Sequence, residues 1–249
     1  MLSRLRREYN GTAEVSKPHV LGILPARGGS KGIPGKNLKP LCGRPLLSWA
    51  AAAIAKAPSV SRSICSTDDD TIADAALASG LEVPFRRPET LAGDTVLVVD
   101  VIRHALEALD DPAHPFTHVA LVQATTPTVT VDDVEAGIDL VRSGDADTVI
   151  SGFYAGMNHP SIMYTLNEDG YVSWLVKDDF HAKRRQDFPS VFVRTGIIYI
   201  ASVHVILERG TLYGDNIRAL VVDEERAVTI DEERDFRLVQ RLMDDSKNG

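Results

Sequence analysis

Apolar residues fall along this chain in short blocks whose spacing switches between the periods of strand and helix. Residues 20–24, Val20-Leu21-Gly22-Ile23-Leu24, form a continuous apolar run with the length of a buried strand. Residues 45–57 are rich in Ala and Leu and stop before Pro58, as a helix does. A short strand is expected at 62–66, a helix at 71–79 stopped by Gly80, and a further short strand at 82–85. Residues 94–109 place Val98, Val101, Ile102, Ala105, Leu106 and Leu109 on one helical stripe. A buried strand at 118–123, a helix at 131–142 ended by Gly144, and a strand at 147–151 follow.

Strand and helix thus alternate repeatedly, without internal sequence repeats. That order predicts an α/β fold: a Rossmann-like, mostly parallel sheet covered by helices on both faces, with its ligand crevice at the carboxyl ends of the strands. The opening loop after residue 24, the triplet Ser66-Thr67-Asp68 and residues 123–127 all fall at such ends, and their agreement supports one site. Residues 153–195 break the rhythm. They hold a turn at Asn167-Glu168-Asp169-Gly170, a mixed stretch around Trp174 and Phe180, and the basic run Lys183-Arg184-Arg185, before residues 196–201 resume a strand. A small inserted β-ribbon is expected there. The 249 residues suit a single domain over 18–243, with flexible tails at 1–17 and 244–249.

Composition narrows the function classes. The chain is 44% hydrophobic and 25% charged, as an ordinary soluble protein is, and its net charge of −8 argues against a general nucleic-acid or anionic-membrane surface. No apolar run is long enough to span a bilayer, and the basic start lacks the apolar centre of a signal peptide, so a cytoplasmic protein is expected. Cys42 and Cys65 make neither a metal pattern nor a disulfide framework and read as small, inert residues. An anionic substrate would therefore need local positive charge.

The stretch after residue 24 supplies it. Residues 25–38 read Pro25-Ala26-Arg27-Gly28-Gly29-Ser30-Lys31-Gly32-Ile33-Pro34-Gly35-Lys36-Asn37-Leu38. Glycines let the backbone turn tightly and present its N–H groups, and the cations add charge, so the loop suits a polyphosphate. It is neither a Walker loop nor a dinucleotide fingerprint: Ser30 replaces the first Walker glycine, Asn37 replaces its hydroxyl residue, and Pro34 interrupts.

The segment resembles the phosphate-binding signature of the CMP-sialic acid synthetase (acylneuraminate cytidylyltransferase) family, P-A-R-G-G-S-K-G-I-P-x-K-N, and the likeness continues in order to about residue 243. It implies a CTP-dependent cytidylyltransferase that works with Mg²⁺, and a homodimer made through the inserted ribbon. By position it implies nucleotide contacts from Ala26, Arg27, Gly28, Lys31, Lys36 and Asn37. Arg27 and Lys36 are the catalytic candidates on the triphosphate. Arg87-Pro88 followed by Leu91-Ala92-Gly93-Asp94-Thr95 matches the element that lies over the cytosine, making Arg87 a base-reading candidate and Asp94 a further nucleotide contact. Ser66-Thr67-Asp68 matches a strand-end S-T-D, with a helix cap as the plainer role. Asp231 is what remains of a metal-binding D-x-D, whose first carboxylate is Thr229 here, and it is the Mg²⁺ ligand and third catalytic candidate.

The departures cluster on the acceptor side. Q-P-T-S-P-L-R becomes Gln123-Ala124-Thr125-Thr126-Pro127-Thr128-Val129, without its arginine. Val96-Leu97-Val98 stands where small hydroxyl residues are usual, Ile162 where a lysine is usual, and Val193 and Thr195 replace an arginine and an asparagine. Gln123, Arg185, Arg194 and Thr195 remain as acceptor-binding candidates. The apolar replacements suggest a smaller pocket, so the expected acceptor is a compact anion, a small phosphonate such as phosphonoformate in natural-product biosynthesis. The alternatives are a CMP-nonulosonate (sialic acid-like) synthetase and a CTP-binding protein that no longer turns over.

Overall fold

A computed structural model of the chain describes residues 18–176 and 184–248; the expected tail at 1–17 and Lys183 lie outside the described residues. Six strands make the central sheet: β1 (Val20–Pro25), β4 (Arg62–Ser66), β5 (His118–Leu121), β6 (Thr148–Tyr154), β9 (Phe192–Ser202) and β10 (Ile217–Val221). They lie in the order β10-β6-β9-β5-β1-β4. β1 runs parallel to β4 and β5, and β6 runs parallel to β10. β9 is antiparallel to both of its neighbours and joins the two parallel halves. Two small hairpins complete the strands: β2 (Pro40–Leu41) with β3 (Arg44–Pro45), and β7 (Tyr164–Leu166) with β8 (Val172–Trp174).

Alternation along the strands divides the core. Val20 and Leu24 of β1 and Ala120 of β5 face one side, where α1 (Leu46–Lys56), α2 (Asp70–Ala78) and α4 (Val131–Arg142) pack with Ile54, Ile72 and Ile138. Leu21, Ile23, Val119 and Leu121 face the other, against Ile102 and Leu106 of α3 (Val98–Ala108) and Ile206 and Leu207 of a π-helical turn, Val205–Arg209. Helices on both faces of a mostly parallel sheet are therefore what the alternation of elements anticipated. A third cluster joins Ile33, Leu41 and Leu46 to Ile230, Phe236 and Val239, which docks α5 (Glu233–Asn248) under the glycine loop.

Several boundaries differ from expectation for local reasons. Residues 82–85 form only an isolated bridge from Glu82 to Ile64. The helix expected from 94 begins at Val98, because Asp94 is drawn into ion pairs with the loop. β10 and α5 follow residue 201, where no elements were anticipated. α5 runs on to Asn248, into the span expected as a tail at 244–249. The inserted ribbon is present as β7 and β8, which pair Tyr164 with Trp174 and Leu166 with Val172 around a turn closed by Gly170 at φ 85°. Among the described residues no helix is long and apolar enough to cross a membrane.

Candidate functional site

β1 ends at the sheet's carboxyl edge, and the glycine loop leaves it over the neighbouring strand end. The loop is anchored from below: Ala26 N–H donates to the Ser66 carbonyl at 3.0 Å, and Gly28 N–H donates to Asp68 Oδ1 at 3.2 Å. Asn37, buried, turns its Nδ2 inward onto the Arg27 carbonyl at 2.9 Å and so ties the two ends of the loop together. The triplet Ser66-Thr67-Asp68 thus supports the loop rather than capping a helix; the cap of α2 is Asp69, which accepts from Ile72 N–H at 2.9 Å.

The loop forms one wall of a cleft of about 460 Å³. Ala26, Arg27, Lys31, Lys36, Asn37, Gln123 and Asp231 all line it, drawn from two strand ends, those of β1 and β5, and the segment before α5. Ser30 and Gly32 of the glycine loop, Val98 at the start of α3, and Ala124 and Thr125 beside Gln123 also line it. Lys36 is the best-held cation: its side chain is only 12% exposed, and Nζ donates to the Ile230 carbonyl at 2.7 Å and to Asp231 Oδ1 at 3.3 Å. Gly32 meets the same segment so closely that a Cβ there would run into the Asp231 carbonyl.

Asp94 takes the other two cations. Its carboxylate pairs with Arg27 Nη2 at 2.6 Å and with Lys31 Nζ. The hydrogen bond from Lys31, joined by that from Arg27, holds Asp94 below the usual carboxylate range. Both of its oxygens are thereby engaged with the charges a polyphosphate would seek.

Other candidates lie elsewhere. Arg87 is 5% exposed and is absent from the cleft wall. Its Nε donates to Ser66 Oγ at 3.1 Å and its Nη2 to the Ser66 carbonyl, so it braces the strand end beneath the loop. Burial pushes its pKa down, opposed chiefly by Asp68. Arg194 is exposed and donates to the Tyr213 hydroxyl. Thr195 is buried against Ser151 Oγ at 2.9 Å. Neither lines the loop cleft, and the side chain of Arg185 lies outside the described residues. Gly196 does reach the site, because an added Cβ would stand 2.9 Å from Gln123 Oε1. Burial pushes the Cys65 thiol up to about 12, which keeps it protonated and fits an inert core residue.

A glycine loop carrying three cations, beside the exposed Asp231 carboxylate in an open cleft, can hold a nucleoside triphosphate and neutralise charge as its phosphates separate. The sequence pattern of the cytidylyltransferase family matches residues 21–233. The chain belongs to that family. It is 28% identical over 216 residues to N-acylneuraminate cytidylyltransferase of Streptococcus agalactiae serotype V, covering 86% of this chain and 51% of that protein. The chain thus spans about half the length of these first curated relatives. It is also 28% identical over 232 residues to CMP-N,N'-diacetyllegionaminic acid synthase of Legionella pneumophila, covering 90% of this chain and 96% of that one. Pseudaminic acid cytidylyltransferase of Campylobacter jejuni is 26% identical over 194 residues, 78% of this chain and 82% of that protein. Among solved structures, CMP:2-keto-3-deoxy-manno-octonic acid synthetase complexed with CTP superposes with a TM-score of 0.69 at 18% identity, covering 92% of this chain and 99% of that chain.

Within this cytidylyltransferase fold, the donor set suits Mg²⁺ in one way. No group of three or more His, Cys, Asp or Glu among the described residues is placed to hold a metal alone. Asp231 is 73% exposed in the cleft and offers one carboxylate, which fits a cation that takes its remaining ligands from phosphates and water.

Proposed function

We propose that this protein transfers CMP from CTP to a sugar acid of the nonulosonic class, releasing pyrophosphate. The observation that carries the reading is the cleft in which Arg27, Lys31 and Lys36 face Asp231. The relatives named above, which act on N-acylneuraminate and pseudaminic acid or make CMP-N,N'-diacetyllegionaminic acid, supply the acceptor class.

In this mechanism the triphosphate of CTP lies on the loop, with Lys36 and Arg27 on its oxygens and Lys31 beside them. To reach Arg27 and Lys31 it displaces the Asp94 carboxylate, exchanging one anion for another. Ala26 and Asn37 stand where the nucleoside enters, and Arg87 acts from behind the strand end. Asp231 would hold Mg²⁺, which would supply positive charge against the negative charge of the phosphates. An acceptor hydroxyl oxygen attacks the α-phosphorus in line and gives up its proton to solvent in the open cleft; the new O–P bond forms as the bond to pyrophosphate breaks. Gln123, beside Gly196, is the residue of the cleft wall best placed to meet the acceptor. A homodimer belongs to the same proposal, because the ribbon exposes Leu166, Tyr171 and Val172.

The small phosphonate expected from the sequence finds no support in these relatives. Of the substitutions behind it, Ile162, Val193, Thr195 and Thr229 do not line the loop cleft, whereas Val98 does.

Pyrophosphate release with CTP and Mg²⁺ tests the proposal, using N-acetylneuraminate, pseudaminic and legionaminic acids, and phosphonoformate as acceptors. Release with a sugar acid is expected. Release with phosphonoformate alone would overturn the acceptor class, and CTP binding without release for any acceptor would mark a non-catalytic protein.

A further inference from the structure

Asp231 comes to the cleft on a short strap, residues 226–231, and the strap is pinned to the loop after β5 at two points. At one, Thr128 Oγ1 donates to the Arg226 carbonyl at 2.7 Å, and Arg226 Nη1 donates back to the Thr128 carbonyl at 3.2 Å. At the other, Ile230 N–H donates to the Thr125 carbonyl at 2.8 Å. The residue after the second pin is Asp231.

The first pin is locked by charge. Both terminal nitrogens of Arg226 reach the two oxygens of Asp133, at 2.9 and 3.0 Å, in the fork geometry that a guanidinium and a carboxylate share. Asp133 is only 9% exposed and is itself fixed in the capping box of α4, where it accepts from Thr130 N–H at 2.9 Å. The turn supplies no cation of its own, since Val129 is buried in the core. Arg226 therefore ties the strap to a rigid helix start.

We propose that Arg226 is a positioning residue for the transfer reaction: its fork onto Asp133 and its bonds to Thr128 set the strap that presents Asp231 opposite Lys36. The inference rests on the proposed reaction in assigning a role to Asp231. It adds a residue 93 positions away in sequence from its partner and outside the lining of the cleft.

Full-length R226M and R226K test it with two measurements. Hydrogen exchange over residues 226–232 reads the strap directly. Calorimetric CTP affinity with and without Mg²⁺, beside kcat and KM for CTP, reads its consequence. R226M is expected to speed exchange, reduce the gain in CTP affinity that Mg²⁺ confers, and lower kcat by about tenfold or more, since alignment errors act on rate. R226K, which keeps a charge but loses the fork, is expected to fall between. Unchanged exchange would overturn the proposal, and so would faster exchange with kcat and Mg²⁺ dependence intact. If R226M does not fold, R226K decides by the same readouts. If the unsubstituted protein releases no pyrophosphate with any acceptor, the proposed reaction fails, while exchange and metal-dependent CTP binding still decide the role of Arg226.

Discussion

Replacing Gly32 by alanine tests whether the glycine loop must touch the Asp231 strap for turnover. An alanine Cβ at this position would lie well inside 3.0 Å of the Asp231 carbonyl oxygen, a separation that real Cβ atoms essentially never show. Gly32 is not among the glycines with a left-handed φ, so its backbone is open to alanine and the contact is the whole effect. The opposing atom is backbone and cannot rotate aside. Loop and strap must therefore part by roughly 1 Å, and a misplacement of that size costs about 100-fold in a rate that depends on alignment. Stability should suffer less: overpacking costs about 1–3 kcal/mol in a core, and a loop beside an open cleft relieves part of it. Pyrophosphate release at saturating CTP, with a thermal melt alongside, measures both. Gly29→Ala is the control, because nothing lies within 4 Å of a Cβ there. Wild-type turnover in Gly32→Ala, or an equal loss in Gly29→Ala, would refute the reasoning.

Lys36→Ala should lower kcat by about 10²–10³-fold, the usual effect of losing a preorganised donor to developing charge, while circular dichroism shows an intact fold; unaltered turnover would remove Lys36 from the mechanism. Arg87→Met should lose about 3 kcal/mol of stability in urea, because it leaves the buried strand end at Ser66 without its charged donor. A loss of CTP affinity with stability unchanged would instead return Arg87 to the base. Burial pushes Asp133 up, but the bonds from Arg226 and Thr130 outweigh it and hold the carboxyl below its ordinary value. A depressed carboxyl adds stability above its unfolded pKa of about 3.9 that is lost as pH falls through the folded value. Denaturation midpoints of the wild type should therefore fall more steeply below about pH 4 than those of Asp133→Asn; parallel curves would contradict this.

The glycine loop and its cations were legible because their chemistry is local. Glycines, Arg27, Lys31 and Lys36 within a dozen residues of a strand end describe a phosphate cradle wherever that strand lies. Helices α1 and α4 were equally plain, since helix-forming composition and a Pro or Gly stop are properties of adjacent residues. The acceptor side was less legible for the opposite reason. Ile162 and Val193 suggested a small pocket only on the assumption that they line it, and distance across the fold is not written in a linear spacing.

Sequence alone therefore determined the strand–helix alternation and the cation-bearing glycine loop at the end of β1, both set by contacts between near neighbours. Tertiary structure decided the rest. It placed antiparallel β9 between the two parallel halves and laid the 226–231 strap against the turn after β5. It also sank Arg87 beneath Ser66, where burial and a carbonyl partner make a brace of a residue that looked like a reader of bases. Each of those outcomes depends on which distant groups meet, and an arginine or aspartate takes its role from the partner it finds there.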